Sequence, residues 1–167
     1  LILAVNEAAE DEKEHGTVGT VGVVEVEPGS INVVPGAVTL WVDVRGVEMA
    51  SIKRTLEDIQ AEAENVAVTD RVGVRIEMLT SDSPVPLDEK LAVQTEGICK
   101  EQSYSFLHMN SGAGHDAMHM AKIAPTTMVF IPCKGGISHN PAEYASLEDI
   151  CRGIIVLGNI LEREANK

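Results

Sequence analysis

Three stretches of the chain gather side chains able to do chemistry. They are "SGAGHDAMH" (111–119), "GGISHNPAEY" (135–144), and the pair formed by Asn32 in "EPGSINVVPG" with Arg45 at the end of "VTLWVDVR". His115 and His119 stand four apart, the spacing at which two imidazoles on one helix share a metal ion. Asp116 occupies the place where such helices carry a Glu, and its shorter side chain reaches less far as a base. Gly114 marks a helix start, so His119 on an ordinary helix face is the plain alternative. Gly112 and Gly114 lack the following Lys-Ser or Lys-Thr of a phosphate loop. They permit a bend into a helix whose first N–H groups suit an anion or a developing oxyanion, with His115 at its edge. His139 follows "TTMVFIP" (126–132), a strand by composition, and loops at the C-terminal ends of strands in α/β sheets are where ligands bind. A surface turn with a solvated imidazole is the other reading. An Arg fork with an amide near it grips a carboxylate, yet Asn32 also suits a turn, and Arg45 shares its strand face with Asp43, a ready ion-pair partner. There is no G-x-S-x-G, no Cys tied to a His motif, and no cluster offering the three ligands of a catalytic zinc.

These residues need elements to position them. Residues 1–10 read as a helix with Leu1, Val5 and Ala8 on one face, and 17–26 as a strand rich in Val, Thr and Gly. After the Pro/Gly connection, Val38, Leu40, Val42 and Val44 alternate with Thr39, Trp41, Asp43 and Arg45, a half-buried strand antiparallel to its predecessor. Ile52, Leu56, Ile59, Ala63 and Val66 step at helical spacing, and "VGVRIEML" (72–79) follows as a strand. The order fits a small antiparallel sheet with two helices on one face, spanning 1–80 and missing a first strand upstream. "TSDSPVPLDEK" breaks the pattern. Beyond it, 81–167 reads as an α/β segment: a helix from 88 to 101, strands at 104–109 and 126–132, and a last helix from Ser146. "SLED" there is a capping-box-like start, and Ile150, Ile154, Leu157 and Leu161 form the expected buried stripe.

The 167 residues carry a formal charge of −13, which argues against nucleic acid as a partner. No apolar run is long enough to span a membrane. Three cysteines without C-x-x-C spacing suit reduced thiols in the cytoplasm. The start has neither a Met nor the features of a signal peptide and falls inside an apolar run, as though cut from something longer.

Taken in order, "TVGTVGVVEVEPGSINVVPGAVTLWVDVRG", "SGAGHDAM" and "GGISHNPAEY" resemble the C-terminal half of one family of metal-dependent amidohydrolases. It includes N-carbamoyl-L-amino acid hydrolases, allantoate amidohydrolases and β-ureidopropionase, within the wider M20 metallopeptidase-like group. The resemblance implies a lid or dimerisation domain over 1–80 and the C-terminal part of a split zinc-hydrolase catalytic domain over 81–167. It implies hydrolysis of a carbamoyl or amide C–N bond in an N-carbamoyl or ureido acid, with two zinc or manganese ions in the full-length enzyme. By matching positions, His139 would be a metal ligand and His115 would polarise the scissile carbonyl. Gly114 would give a backbone contact, and Asn32 and Arg45 would hold the substrate carboxylate. The matching general base and the other ligands are absent, so this chain alone is expected to hold no metal and to be inactive. A homodimer through the lid is implied. A non-catalytic dimerisation module, or an M20-type aminoacylase or peptidase, are the alternatives.

Overall fold

The computed structural model describes residues 1–166, which form two compact units, Leu1–Pro84 and the residues from Val85 onward. Lys167, the end of the expected second domain, lies outside the described residues.

In the first unit, α1 (Ile2–Asp11) buries Val5, Ala8 and Ala9, one turn apart on one face, while Leu1 is exposed at the N-cap. A 3-10 turn (Lys13–His15) ends on Gly16 at φ +73, a left-handed conformation that glycine adopts without steric cost. The chain then enters a two-stranded antiparallel ribbon of β1 (Val18–Glu27) and β2 (Ala37–Arg45), with Val18 opposite Arg45 and Glu27 opposite Ala37. The register shifts between Val21 and Val23, which leaves Gly22 as the extra residue of a bulge. Along β1 and β2, Gly19, Val21, Leu40 and Val44 are half-buried, whereas Val18, Thr20, Trp41, Asp43 and Arg45 are exposed. Of the face read from the sequence, Leu40 and Val44 are covered, whereas Val38 and Val42 are exposed.

The covered face meets α1 and α2 (Met49–Thr69), which also pack on each other. A Cβ on Gly19 would lie 3.0 Å from the Ala9 Cβ and 3.0 Å from the Val5 carbonyl oxygen, so glycine permits α1 to approach β1 this closely. On α2 the expected stripe holds, with Ile52 and Ala63 buried and Leu56, Ile59 and Val66 half-buried. Ser51 and Thr55 are buried beside it. The Ser51 hydroxyl is 2.5 Å from that of Thr17, and Thr55 Oγ1 donates to the Ala8 carbonyl, 3.5 Å away. Both pairs satisfy groups whose burial would otherwise cost stability. Arg54 grips Glu12 through two hydrogen bonds of 2.6 Å, tying α2 to the end of α1.

The second unit rests on α3 (Glu89–Glu101) against α5 (Leu147–Ala165). Asp88 caps α3 by accepting from the Leu91 N–H at 2.8 Å, and Ser146 caps α5 by accepting from the Asp149 N–H at 3.0 Å. Ile98, Cys99, Val156 and Ile160 form the core, with Tyr104 and Val129 against it, and burial pushes the Cys99 thiol pKa up. The residues α5 buries are Gly153, Val156 and Ile160, not Ile150, Ile154, Leu157 and Leu161, which are exposed. The stripe read from the spacing is the apolar face of α5, but in this chain it faces outward, and the contact with the rest of the unit is made by the side that carries Gly153, Val156 and Ile160. Gly153 lets that side come close, because a Cβ there would lie 2.7 Å from Ile131 Cγ2.

The fold class read from the sequence stands: helices with a small antiparallel sheet, two of them on one face of that sheet. The expected strands at 72–79, 104–109 and 126–132 are not strands among the described residues. Strand composition becomes a strand only where a neighbour completes the hydrogen-bond ladder. β1 and β2 complete each other's, and no described segment pairs with these three.

Candidate functional site

The ribbon presents Arg45 at one end and Asn32 at the other. Arg45 closes β2 opposite Val18, while Asn32 lies in the exposed turn beyond the Glu27–Ala37 pair. That turn contains a cis Glu27–Pro28 bond and Gly29 at φ +65, and closes through the Gly36 N–H on the Glu27 carbonyl at 2.8 Å. At about 3.3 Å per residue, the strand between the two positions spans about 26 Å. Asn32 thus lies in the turn beyond one end of the ribbon and Arg45 at the other end of β2. Arg45 Nε donates to Asp43 Oδ2 at 2.5 Å, and the two residues line a shallow depression with Trp41 on the uncovered face of the ribbon.

In the second unit, Ser111 organises the approach to His115: its hydroxyl donates to the Ala113 carbonyl at 2.8 Å and accepts from the Ala113 N–H at 3.3 Å. Gly114 is exposed, and a Cβ there would come no closer than 3.9 Å to Met118 Sδ, so neither packing nor φ demands glycine. His115 is the N-cap of α4 (Asp116–Met120), in extended conformation. It lies outside the helix, so His115 and His119 do not sit as an i, i+4 pair on a helical face, and the H-D-x-x-H metal reading loses its geometry. At five residues α4 is little more than one turn, too short to give the helix N-terminus the anion affinity expected from the sequence. The His115 ring instead stands edge-on to Phe130, with centroids 6.4 Å apart and planes at 86°.

Phe130 belongs to the same extended segment that leads to His139. That segment ends at a tight turn (Lys134–Gly136) with Gly135 at φ +66 and Gly136 at φ +68. The loop carrying His139 is closed at its base by the Lys134 N–H on the Tyr144 carbonyl at 2.8 Å. Inside it, Asn140 Oδ1 accepts from the Ala142 N–H at 2.9 Å and Glu143 Oε2 accepts from the His139 N–H at 2.9 Å. His139 itself has φ +55, a conformation that non-glycine residues avoid unless something holds them. Here the Glu143 carboxylate does so. Both imidazoles thus flank one segment, His115 against Phe130 and His139 on the loop that follows it.

His139 offers an exposed imidazole, but a metal centre needs more. Among the described residues no three His, Cys, Asp or Glu side chains come together to hold an ion. A catalytic zinc takes three protein ligands, so His139 by itself does not make a metal centre.

Sequence reasoning missed two features. Thr20 and Gly22 of β1 join Trp41, Asp43 and Arg45 around the depression, a pairing that depends on register. Glu143 follows His139 by four residues, and its grip on the backbone becomes visible only with the left-handed φ of His139.

Comparison with known proteins places this geometry in context. The model for peptidase family M20/M25/M40 matches residues 3–163, a span that includes Asn32, Arg45, Gly114, His115 and His139. An N-carbamoyl-L-amino-acid amidohydrolase of Rhizobium meliloti is 40% identical over 156 residues, covering 93% of this chain and 38% of the relative. Allantoate amidohydrolase of Escherichia coli K12 is 34% identical over 142 residues, covering 85% of this chain and 34% of the relative. The crystal structure of AtUAH in complex with glyoxylate superposes with a TM-score of 0.90 at 34% identity, covering 99% of this chain and 40% of that one. The chain therefore spans between 34% and 40% of the length of these relatives. No described helix is long and apolar enough to cross a membrane.

Proposed function

This chain belongs to peptidase family M20/M25/M40, and from that premise we propose that it is part of a metal-dependent amidohydrolase. The whole protein would cleave a carbamoyl or amide C–N bond of an N-carbamoyl amino acid or a ureido acid. The observation that carries this reading is the 40% identity to an N-carbamoyl-L-amino-acid amidohydrolase across 93% of the chain.

In this proposal unit 1 serves as lid and dimerisation domain, and unit 2 as the C-terminal part of the catalytic domain. Arg45 grips the substrate carboxylate, with a planar fork suited to two parallel hydrogen bonds. Asn32, in the turn of the same ribbon, shares in holding that carboxylate. His115, oriented by Phe130, donates a hydrogen bond to the scissile carbonyl oxygen and stabilises negative charge growing there, and the Gly114 backbone borders the same oxygen. His139 is one ligand of a pair of zinc or manganese ions whose remaining ligands, with the general base, are to be sought in the whole protein. These 167 residues alone are then inactive. The whole protein acts in the cytoplasm as a homodimer, a reading supported by the open edges of the two-stranded ribbon.

The test is a substrate panel on the whole protein: N-carbamoyl amino acids, allantoate, ureidoglycolate, N-acetyl amino acids and dipeptides. Hydrolysis confined to carbamoyl and ureido acids is the expected result. Turnover of only acetyl amino acids or dipeptides would move the protein to the aminoacylase or peptidase side and overturn the proposal.

A further inference from the structure

Trp41, Asp43 and Arg45 occupy alternate positions of β2 and so share the ribbon face turned away from α1 and α2. With Thr20 and Gly22 of β1 they line a depression of about 530 Å³. Three features give it a polarity. Its floor is Gly22, the bulge residue, where an added Cβ would meet nothing within 4 Å, so the space is open because no side chain is present. One wall is Trp41, whose surface is 48% exposed although the residue is strongly apolar. The other end carries the Arg45 charge with Val18 opposite it, and Asp43 bonds that guanidinium. The Cα atoms of Trp41 and Arg45 are about 13 Å apart along the strand, at about 3.3 Å per residue. The bond from Arg45 Nε to Asp43 Oδ2 draws the guanidinium back over residue 43, toward the indole.

From this geometry we infer that the depression is a side-chain subsite joined to the carboxylate grip. Asp43 positions Arg45, and Trp41 over the Gly22 floor receives an apolar substituent on the carbon next to the substrate carboxylate. An α-substituted acid holds its carboxylate and side chain a few ångströms apart, which matches the offset between the retracted guanidinium and the indole. The subsite favours N-carbamoyl amino acids with aliphatic or aromatic side chains. Acids whose substituent is a polar ureido group gain little from the indole, and a second carboxylate meets Asp43. The inference rests on the role proposed above for Arg45.

The test uses the whole protein and two substrates, N-carbamoyl-L-leucine and N-carbamoylglycine. Trp41→Ala removes the wall, and Gly22→Val fills the floor from the other strand with a residue that suits a strand surface. Each variant is expected to lower the leucine-to-glycine ratio of kcat/KM by about tenfold, the usual reach of an apolar contact on substrate choice. Asp43→Asn is expected to raise KM for both substrates equally, with kcat little changed, and Asp43→Glu to recover part of the loss. An unchanged ratio in both Trp41→Ala and Gly22→Val, with Arg45→Ala raising KM for both acids, refutes the subsite and leaves the carboxylate grip standing. An unchanged KM in Arg45→Ala refutes the grip and the subsite with it. Hydrolysis of neither substrate by the wild-type protein overturns both.

Discussion

Replacing Glu143 with Ala tests whether the His139 loop is held by its own side chains. His139 sits at φ +55, which costs a non-glycine residue about 1–2 kcal/mol. Its N–H donates to Glu143 Oε2 at 2.9 Å, the Glu143 N–H donates to the Asn140 carbonyl at 2.9 Å, and the Lys134–Tyr144 pair closes the base. A hydrogen bond to a charged acceptor contributes about 1.5–3 kcal/mol, and solvent exposure at this loop brings that to about 1.5 kcal/mol or less. The loss is thus comparable to the strain it offsets, and about 1.4 kcal/mol is a tenfold change in population. Amide hydrogen exchange at His139 in the whole protein is expected to speed up by up to about tenfold in Glu143→Ala, since local opening sets the rate. The kcat/KM for the carbamoyl substrate should fall by a similar factor as His139 leaves its position. Glu143→Gln keeps an acceptor oxygen at the same reach and should recover most of both. Wild-type exchange in Glu143→Ala, or a Gln variant no better than the Ala variant, would show that the carboxylate does not hold the loop.

Three further predictions concern stability. Ile98 is fully buried between α3 and α5, so Ile98→Ala should cost about 2–5 kcal/mol in urea unfolding; a loss under 1 kcal/mol would deny that this cluster is the core of unit 2. On α5, Gly158→Ala meets nothing within 4 Å and should gain about 1 kcal/mol from helix propensity alone. Gly153→Ala should gain nothing, because its Cβ collides with Ile131; equal shifts in thermal unfolding would contradict the packing. In unit 1, the Arg54 guanidinium bonds both oxygens of Glu12 and holds its carboxyl down at about 2, against an ordinary 4.5. A depressed carboxyl contributes stability that is fully present above 4.5 and lost as pH falls toward 2. Arg54→Met should therefore destabilise the protein at neutral pH, and its gap to wild type should close across that acid range. A gap independent of pH would assign the effect to packing of the Arg stem.

Where one physical signal decided the outcome, the sequence was readable. The alternation in "VTLWVDVR" marked a strand whose covered face holds Leu40 and Val44, though Val38 and Val42 stay exposed, and the apolar stripe of α2 and the Ser146 cap were equally readable. Segments 72–79, 104–109 and 126–132 have strand composition, but composition cannot supply a ladder partner. The apolar face of α5 was legible from its spacing, but the contact made here runs through Gly153, whose value lies in the side chain it lacks. Asn32 and Arg45 entered as a carboxylate grip only through the family resemblance, because a turn amide and an Arg beside an Asp each have a plain structural use. Their places, Asn32 in the turn beyond the Glu27–Ala37 pair and Arg45 at the other end of β2, follow from the strand that the alternation marks. The readings of His115 and His139 needed the family resemblance, because neither imidazole has a ligand set or a base close by in sequence.

The central claim, that this chain is one portion of a carbamoyl- or ureido-acid hydrolase, is tested most directly by measuring release of free amino acid from an N-carbamoyl-L-amino acid. The whole protein and the 167-residue chain alone are each assayed with zinc and with manganese. Turnover by the whole protein and none by the chain alone is expected under either ion. Turnover by the chain alone, or none by the whole protein with either metal, would contradict it.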